Sequence, residues 1–505
     1  MKRLSFALLL TLCLSTLGKA QQLKATSDKA AQPRATTGKS ATLDSAAIAR
    51  LEQMIPNLMT EAEIPGLSIA LVRDSKVIWT HHYGYANVET KTPVSNATVF
   101  EAASLTKPVF AYAVLKLVDA GKLDLDTPLV KYLPGRYDVG DDSRLDQITA
   151  RHVLSHTTGF PNWRPRGSAT LKMYFTPGGR FSYSGEGFVY LSKVVEKITG
   201  EPTEAFVKRT VFEPLEMKSS SMIWRNDYET LKAFNHNWGG GVSGRGKPDK
   251  PNAAASLHTT ANDYAKFVIA MLKGTGLKSA TARLMLTPQS TVSDAGAFNL
   301  DKPEAKLSHN VSWGLGWGLE KTADGTGFWH WGDNGDTKAF VLAFPKQKTG
   351  LVMFANSSNG LSMINELVGS VMGNDQPALA WLNLEQHNSY PRLFFKAIVK
   401  ADAETVLAEY RQHRPLSGTP FVALTENQMN TLGYQLIRLK RIKDAIAVFQ
   451  QNTVDFPRGY NTWDSLAEGY MIDGDKESAI KYYKKSLELN PDNTNAVEKL
   501  KELGK

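Results

Sequence analysis

A chain of 505 residues is longer than one hydrophobic core usually serves, so two or more folded units are expected. Hydrophobic residues at 42% and charged residues at 22% are ordinary for a soluble globular protein. The formal net charge of +9 is modest for this length, and no block of five or more basic residues with interleaved aromatics occurs, which excludes a nucleic-acid partner.

In chain order, Lys2 and Arg3 give a basic start, and Phe6 to Leu17 is mostly apolar but too short for a membrane span. Gly18-Lys19-Ala20 supplies small residues where a signal peptidase cuts, so 1–20 reads as a cleaved secretory signal. Leu12 stands where a lipoprotein signal wants a small residue, which argues against a lipid on Cys13. The expected location is periplasmic or secreted, with no stable membrane span after signal removal. Cys13 is the only cysteine, so the mature chain has no disulfide, no thiolate nucleophile and no Cys-ligated zinc. A cysteine-free chain suits an oxidising compartment. Residues 21–42 are rich in Ala, Thr, Ser, Lys and Gln, and read as a flexible linker.

From 43 the pattern is globular. Ile48, Leu51, Met54, Ile55 and Leu58 have helical spacing. Leu67 to Val72 and Val77 to Thr80 are β-rich, and Arg73-Asp74-Ser75-Lys76 between them predicts a hairpin. Ser104 to Ala120 is helical and apolar nearly all round, so it belongs inside the protein. Residues 120–290 mix helical stretches with Gly- and Pro-rich loops. Strands are expected at Trp313 to Leu319, Gly327 to Trp331, Lys338 to Phe344 and Gly350 to Ala355, and a helix at Ser362 to Met372. Strands at both ends with helices between and after predict an α+β unit, an antiparallel sheet flanked by helices with an inserted, mostly helical subdomain.

The last hundred residues repeat with a period of 34. Leu432 pairs with Leu466, Ala445 with Ala479, Phe449 with Tyr483, and Pro457 with Pro491. This period and residue pattern is that of the tetratricopeptide repeat, with copies at about 426–459 and 460–493. One further helix, Leu393 to Tyr410, is expected beneath them as a cap. Residues 390–505 are therefore an all-α region that offers a groove to a protein partner, and 43–385 form the other unit.

Ser-x-x-Lys occurs twice. Ser478 to Lys481 lies on a solvated helix explained by the repeat and carries no chemistry. Ser104 opens the buried helix, and Lys107 three residues later reaches back to it on the same face. Burial disfavours the ammonium form, so Lys107 is a candidate proton acceptor for the Ser104 hydroxyl. Unpaired first-turn N–H groups of the helix face developing negative charge.

Phe100-Glu101-Ala102-Ala103-Ser104-Leu105-Thr106-Lys107 resembles the nucleophile segment of the class C β-lactamase, penicillin-binding-protein and serine esterase family. Further segments agree in the family's order: Leu154 to Phe160 with its His-Thr-Ser-Gly turn, Phe181 to Gly185 with its Tyr-x-Asn segment, Ala254 to Asp263 with its Gly-rich helix lead-in, and Phe328 to Gly332 with its Lys-Thr-Gly or His-x-Gly strand. The resemblance implies a β-lactamase/transpeptidase-like fold and an acyl-serine mechanism. It implies Ser104 as nucleophile, Lys107 and Tyr183 as proton carriers, and His330 close to Tyr183, tuning its proton affinity. It places the oxyanion between the backbone N–H groups of Ser104 and Asp333, with Gly332 and Asp333 beside the substrate. Two positions depart from the lactamase pattern. Gly185 stands where lactamases have asparagine, and His330 where they have lysine. Esterase and D-amino-acid peptidase relatives tolerate such changes.

Other motifs carry nothing. Gly239 to Gly244 matches Gly-x-Gly-x-x-Gly, but no strand is expected before it and Pro248 and Pro251 oppose a helix after it, so it reads as a flexible loop beside the active site. His152 and His156 lack the acid of a zinc-protease motif, and neither a metal nor a cofactor is expected. No Gly-x-Ser-x-Gly elbow is present. Three readings follow. The first is an exported serine hydrolase cleaving an amide or ester, β-lactam or D-amino-acid peptide substrates favoured. The second is an esterase for small acyl esters. The third is a repeat-bearing scaffold whose degenerate hydrolase unit only binds.

Overall fold

The computed structural model describes residues 45–504 apart from 136, 166–167, 299, 301–304 and 417. The expected signal (1–20) and linker (21–42) lie outside the described residues.

Alternation along the first hairpin sets up the core. Strand β1 (Gly66–Arg73) sends Leu67, Ile69 and Leu71 to one face and Ala70 and Val72 to the other. Helices cover both faces, so only Arg73 of β1 is exposed and the strand reads as a continuous apolar run. Strand β2 (Lys76–Asn87) returns antiparallel through Asp74 and Ser75, whose φ angles of 52° and 55° make the tight turn that matches strand twist. The short β3 (Thr92–Pro93) ends the sheet, and β4 (Phe100–Glu101) leads to the nucleophile.

The remaining strands come late. They are β5 (Asn235–His236), β6 (Val242–Gly244), β7 (His258–Thr259), β8 (Ser290–Ser293) and β9 (Leu307–Trp313), then β10 (Gly318–Thr322), β11 (Gly325–Asp333), β12 (Lys338–Phe344) and β13 (Thr349–Ala355). Nine strands form one antiparallel sheet in the order β3-β2-β1-β13-β12-β11-β10-β9-β8. The chain's first and last sheet strands thus pair, Leu67 opposite Ala355. The expected single run Trp313 to Leu319 is two strands. Gly316, with φ of 88°, sits in the reversal between them.

Helix α1 (Ser45–Ala62) covers one face together with α5, described below, against Ile69, Phe340, Leu342 and Met353. Helices α2 (Thr106–Asp119), α3 (Gly185–Thr199) and α4 (Ala261–Lys273) join the cluster on the other face with Ala70, Val341 and Val352. Every residue of α2 from Thr106 to Leu115 is buried, as its apolar circumference predicts. Helix α5 (Ile364–Met372) closes this unit.

The C-terminal helices are α6 (Tyr390–Lys400), α7 (Ala403–Arg411), α8 (Glu426–Arg438), α9 (Ile442–Asp455), α10 (Tyr460–Asp473), α11 (Lys476–Leu489) and α12 (Thr494–Glu502). The expected cap helix from Leu393 to Tyr410 is broken in two. Asp402 adopts extended backbone and accepts from the Thr405 N–H at 2.8 Å, starting α7 anew. In the repeats a Cβ on Gly433 would fall 2.2 Å from the Phe449 ring, so the helix pair closes only over a residue with no side chain there. One residue from the hydrolase unit enters the helical core. Trp238 packs edge to face on Phe395, with ring centroids 5.2 Å apart, beneath the Arg392 guanidinium at 3.8 Å. Among the described residues no helix is long and apolar enough to cross a membrane.

Candidate active site

Ser104 sits in a tight 3-10 turn, Ala103–Leu105, that runs straight into α2. Ala103 holds a φ of 48°, left-handed backbone that stores about 1–3 kcal/mol in a non-glycine residue. The turn is pinned from the side. Phe100 and Glu101 pair with Thr259 and His258, the Ala102 N–H donates to Leu257 O at 2.7 Å, and the Leu257 N–H donates to Thr106 Oγ1 at 2.9 Å.

Lys107 is fully buried. Its Nζ lies 3.1 Å from Ser104 Oγ and donates to Ala254 O at 2.9 Å. The rings of Tyr183 and Phe188 lie 4.6 and 5.7 Å from it, and none of these neighbours is a carboxylate. Burial therefore holds the amine's pKa well below the ordinary lysine value. A neutral amine at this position can take the Ser104 proton.

Tyr183 is buried as well. Burial pushes its phenol above the usual range, and the adjacent Ser104 hydroxyl works against that shift. Its ring stacks on His156, with centroids 4.2 Å apart, and lies 4.9 Å from the Trp331 ring. Phe298, 61% exposed, meets Tyr183 edge to face at 5.8 Å. His156 accepts the Ser184 N–H on Nδ1 at 3.0 Å, and burial keeps its pKa well below the ordinary histidine value. It is thus a neutral slab that fixes the Tyr183 ring. In the sequence His156 stands only within the quoted turn and in a rejected metal pair, and neither signals its stacking on Tyr183.

His330 is fully buried, and its Nδ1–H donates to Trp331 O at 2.7 Å. Burial above all brings its pKa down to about 3, so it is neutral. Its ring centroid is 5.9 Å from that of Tyr183. Gly332 touches the nucleophile turn: a Cβ there would lie 2.4 Å from Ala102 O. Asp333 follows at the strand end, its Oδ1 accepting from the Gly335 N–H at 2.8 Å and from Lys338 Nζ at 2.5 Å. Ser104, Lys107, Tyr183, His330 and Gly332 are therefore brought together, with Asp333 next in line.

Gly185 has a local explanation. A Cβ there would fall 2.6 Å from the Trp163 indole, which is 44% exposed. Asn162 accepts the Gly185 and Glu186 N–H groups on its carbonyl at 3.0 and 3.1 Å, and Glu186 holds Arg164 at 2.8 Å, so the loop that carries Trp163 is stitched to the start of α3. Ser478, by contrast, donates its hydroxyl to Asp475, the N-cap of its own helix, at 2.7 Å, and Lys481 is exposed. Gly239–Gly241 form the tip of the β5–β6 hairpin, so a two-residue strand does precede them, but no helix follows. No group of three or more metal-binding side chains occurs among the described residues. The open hollow lined by Pro202, Phe212, Met217 and Ile223 shares no residue with this cluster.

Comparison with known proteins agrees with this layout. The Beta-lactamase family model matches residues 51–366, and a tetratricopeptide repeat model matches residues 460–493. The chain is 24% identical over 329 residues to Protein flp of Staphylococcus aureus (strain N315), covering 61% of this chain and 62% of that one. It is 29% identical over 209 residues to Esterase EstB of Burkholderia gladioli, covering 36% and 53% respectively. The chain thus spans about three fifths of the length of the first of these relatives and about half of the second. Among solved structures, a class C beta-lactamase aligns with a TM-score of 0.56 at 20% identity, over 66% of this chain and 97% of that one. The octameric penicillin-binding protein homologue from Pyrococcus abyssi aligns with a TM-score of 0.53 at 24% identity, over 70% and 81%.

Proposed function

From the premise that this chain belongs to the Beta-lactamase family, with a tetratricopeptide repeat region after it, we propose that it is an exported hydrolase acting through an acyl-serine. Ser104 Oγ attacks the substrate carbonyl carbon while its proton passes to Lys107 Nζ. The carbonyl oxygen, now negative, is held by the N–H groups of Ser104 and Asp333. Tyr183, beside Ser104, relays the proton to the leaving group as the carbonyl–heteroatom bond breaks. Water then attacks the acyl-serine, returning the proton to Ser104 and releasing the acid. The observation that carries this reading is Lys107: wholly buried, without a carboxylate among its contacts, 3.1 Å from Ser104 Oγ. It speaks against a scaffold with a degenerate hydrolase unit.

For the substrate, an uncharged ester is supported better than a carboxylate-bearing β-lactam or D-amino-acid peptide. His330 is neutral where a lysine would meet a carboxylate, and Lys338 is engaged by Asp333. Trp163 covers Gly185, and Phe298 stands against Tyr183, so the mouth of the site presents flat apolar surfaces. The likeness to an esterase points the same way. Export rests on the pattern of residues 1–20, and a protein partner on the repeats.

The test is incubation with a fluorescent penicillin and with a chromogenic acetyl ester, wild type beside Ser104→Ala. Ester turnover lost only in the variant supports the reading. Equal turnover in both sinks the Ser104 assignment. Penicillin labelling without ester turnover moves the substrate to the peptide class.

A further inference from the structure

Among the buried ionisable groups that the mechanism leaves unused, one lies close to the nucleophile. Glu101, three residues before Ser104, is 6% exposed and lies where four segments meet. Its Oε1 lies 3.2 Å from Lys232 Nζ and accepts from Asn235 Nδ2 at 3.0 Å and from the Gly246 N–H at 3.3 Å. Its Oε2 accepts from Asn334 Nδ2 at 3.3 Å. The same Asn334 amide donates to Ala255 O at 3.2 Å, next to the Ala254 carbonyl that holds Lys107.

The buried pair is an ion pair with Nζ and Oε1 3.2 Å apart. Lys232 and His258 hold the Glu101 pKa down to about 2 against the opposing effect of burial. Burial pulls Lys232 towards its neutral form, but Glu101 opposes this, and Ala233 O at 2.7 Å and Asn235 Oδ1 at 3.3 Å supply further acceptors. A paired, fully hydrogen-bonded carboxylate is the one form of buried charge that a protein interior tolerates.

What matters is which segments it joins. Glu101 lies on the strand that ends in the Ser104 turn. Asn334 is the residue after Asp333. The two N–H groups assigned to the oxyanion thus lie on chain segments about 230 residues apart, and Glu101 to Asn334 is the side-chain tie between them. The backbone contact beside it, Gly332 on Ala102, limits how closely the segments approach but does not stop them separating. We propose that Glu101 is a positioning residue, its carboxylate holding the Asp333 turn at a fixed distance from the Ser104 turn and so setting the span of the oxyanion site. This rests on the acyl-serine reading above.

A merely structural Glu101 would serve loop 232–246 alone, and Asn334 would then be dispensable. The experiment uses the full chain and a chromogenic acetyl ester, with Glu101→Gln, Asn334→Ala, their double variant and Ser104→Ala, each checked by thermal unfolding. Because Glu101→Gln leaves Lys232 buried without its counter-charge and can fail to fold, Asn334→Ala, at an exposed position, carries the test by itself. The expected result for Asn334→Ala is a fall of about tenfold in kcat and in the acylation burst rate, with KM within about threefold and the unfolding midpoint unchanged. Where Glu101→Gln folds, the double variant loses no more than the more damaged single one, because both changes cut one tie. Asn334→Ala with kcat within twofold of wild type overturns the proposal while leaving the nucleophile in place, and so do losses that multiply independently in the double variant. Turnover that survives Ser104→Ala overturns both readings together.

Discussion

Replacing Gly332 by alanine tests how the backbone sets the site. A Cβ at this position would stand 2.4 Å from the Ala102 carbonyl oxygen and 3.1 Å from the Ala339 Cβ. The first contact is with backbone, so no side chain can swing away. Ordinary contact begins at 3.4 Å, so β11 and the nucleophile turn must part by about 1 Å. Ala102 O also accepts the Leu105 N–H at 3.0 Å, so the displacement enters the turn that holds Ser104. A misplacement of about 1 Å is worth roughly a hundredfold in rate. Complete loss of an oxyanion donor is worth about 2.7–4 kcal/mol, or roughly 10²–10³ in kcat. Gly332→Ala is expected to lower kcat on a chromogenic ester by about a hundredfold with KM changed less than about threefold, since the interaction is made in the transition state. The overpacking itself costs about 1–3 kcal/mol of stability, so the unfolding midpoint falls by several degrees while the protein stays folded at 25 °C. A kcat within fivefold of wild type in a folded variant would refute the claim that this backbone approach sets the oxyanion geometry.

Lys107→Met removes the proton acceptor while filling the same buried space, and is expected to lower kcat by about 10²–10⁴ without loss of folding, read by ester kinetics beside circular dichroism. In the wild type, kcat/KM rises with pH as Lys107 loses its proton; because burial lowers that pKa, the rise is complete well below the ordinary lysine value, and a rate still climbing through pH 10 contradicts a neutral Lys107. Trp163→Ala should cut kcat/KM for a naphthyl ester by about tenfold relative to an acetyl ester, the scale of one lost aromatic contact; an unchanged ratio removes Trp163 from substrate recognition. Trp238→Ala empties the contact between Arg392 and Phe395 and should destabilise by about 3–5 kcal/mol, with denaturant unfolding resolving into separate hydrolase and repeat transitions; a single unshifted transition argues against Trp238 as the joint.

Much of the fold was legible because its signals are local. Apolar runs marked β1, β12 and β13, and a helix apolar all round marked α2, since burial on every side needs no partner to be named. The repeat was legible because Leu432, Ala445 and Pro457 recur at one period. The misses lie where a short stretch decides. The Trp313 to Leu319 run divides at glycines that reverse the chain, and the cap helix breaks because Asp402 captures a backbone N–H. The hairpin strand before Gly239 is only two residues long, too short for an alternation to be seen.

For the site, the sequence by itself determined that Lys107 reaches Ser104, because three residues along a helix bring two side chains to one face. The resemblance to a known family supplied Tyr183, His330 and Gly332 as candidates, though not their arrangement. Only the tertiary structure decided the rest. Burial holds the Lys107 pKa well below the ordinary lysine value, and a carbonyl from a segment 147 residues away fixes the position of its Nζ. His156 holds the Tyr183 ring, Trp163 accounts for Gly185, and Glu101 meets Asn334 across the fold. Proton affinity and hydrogen-bond geometry depend on which groups lie within a few ångströms, and chain spacing fixes that distance only within a turn or two of the same element.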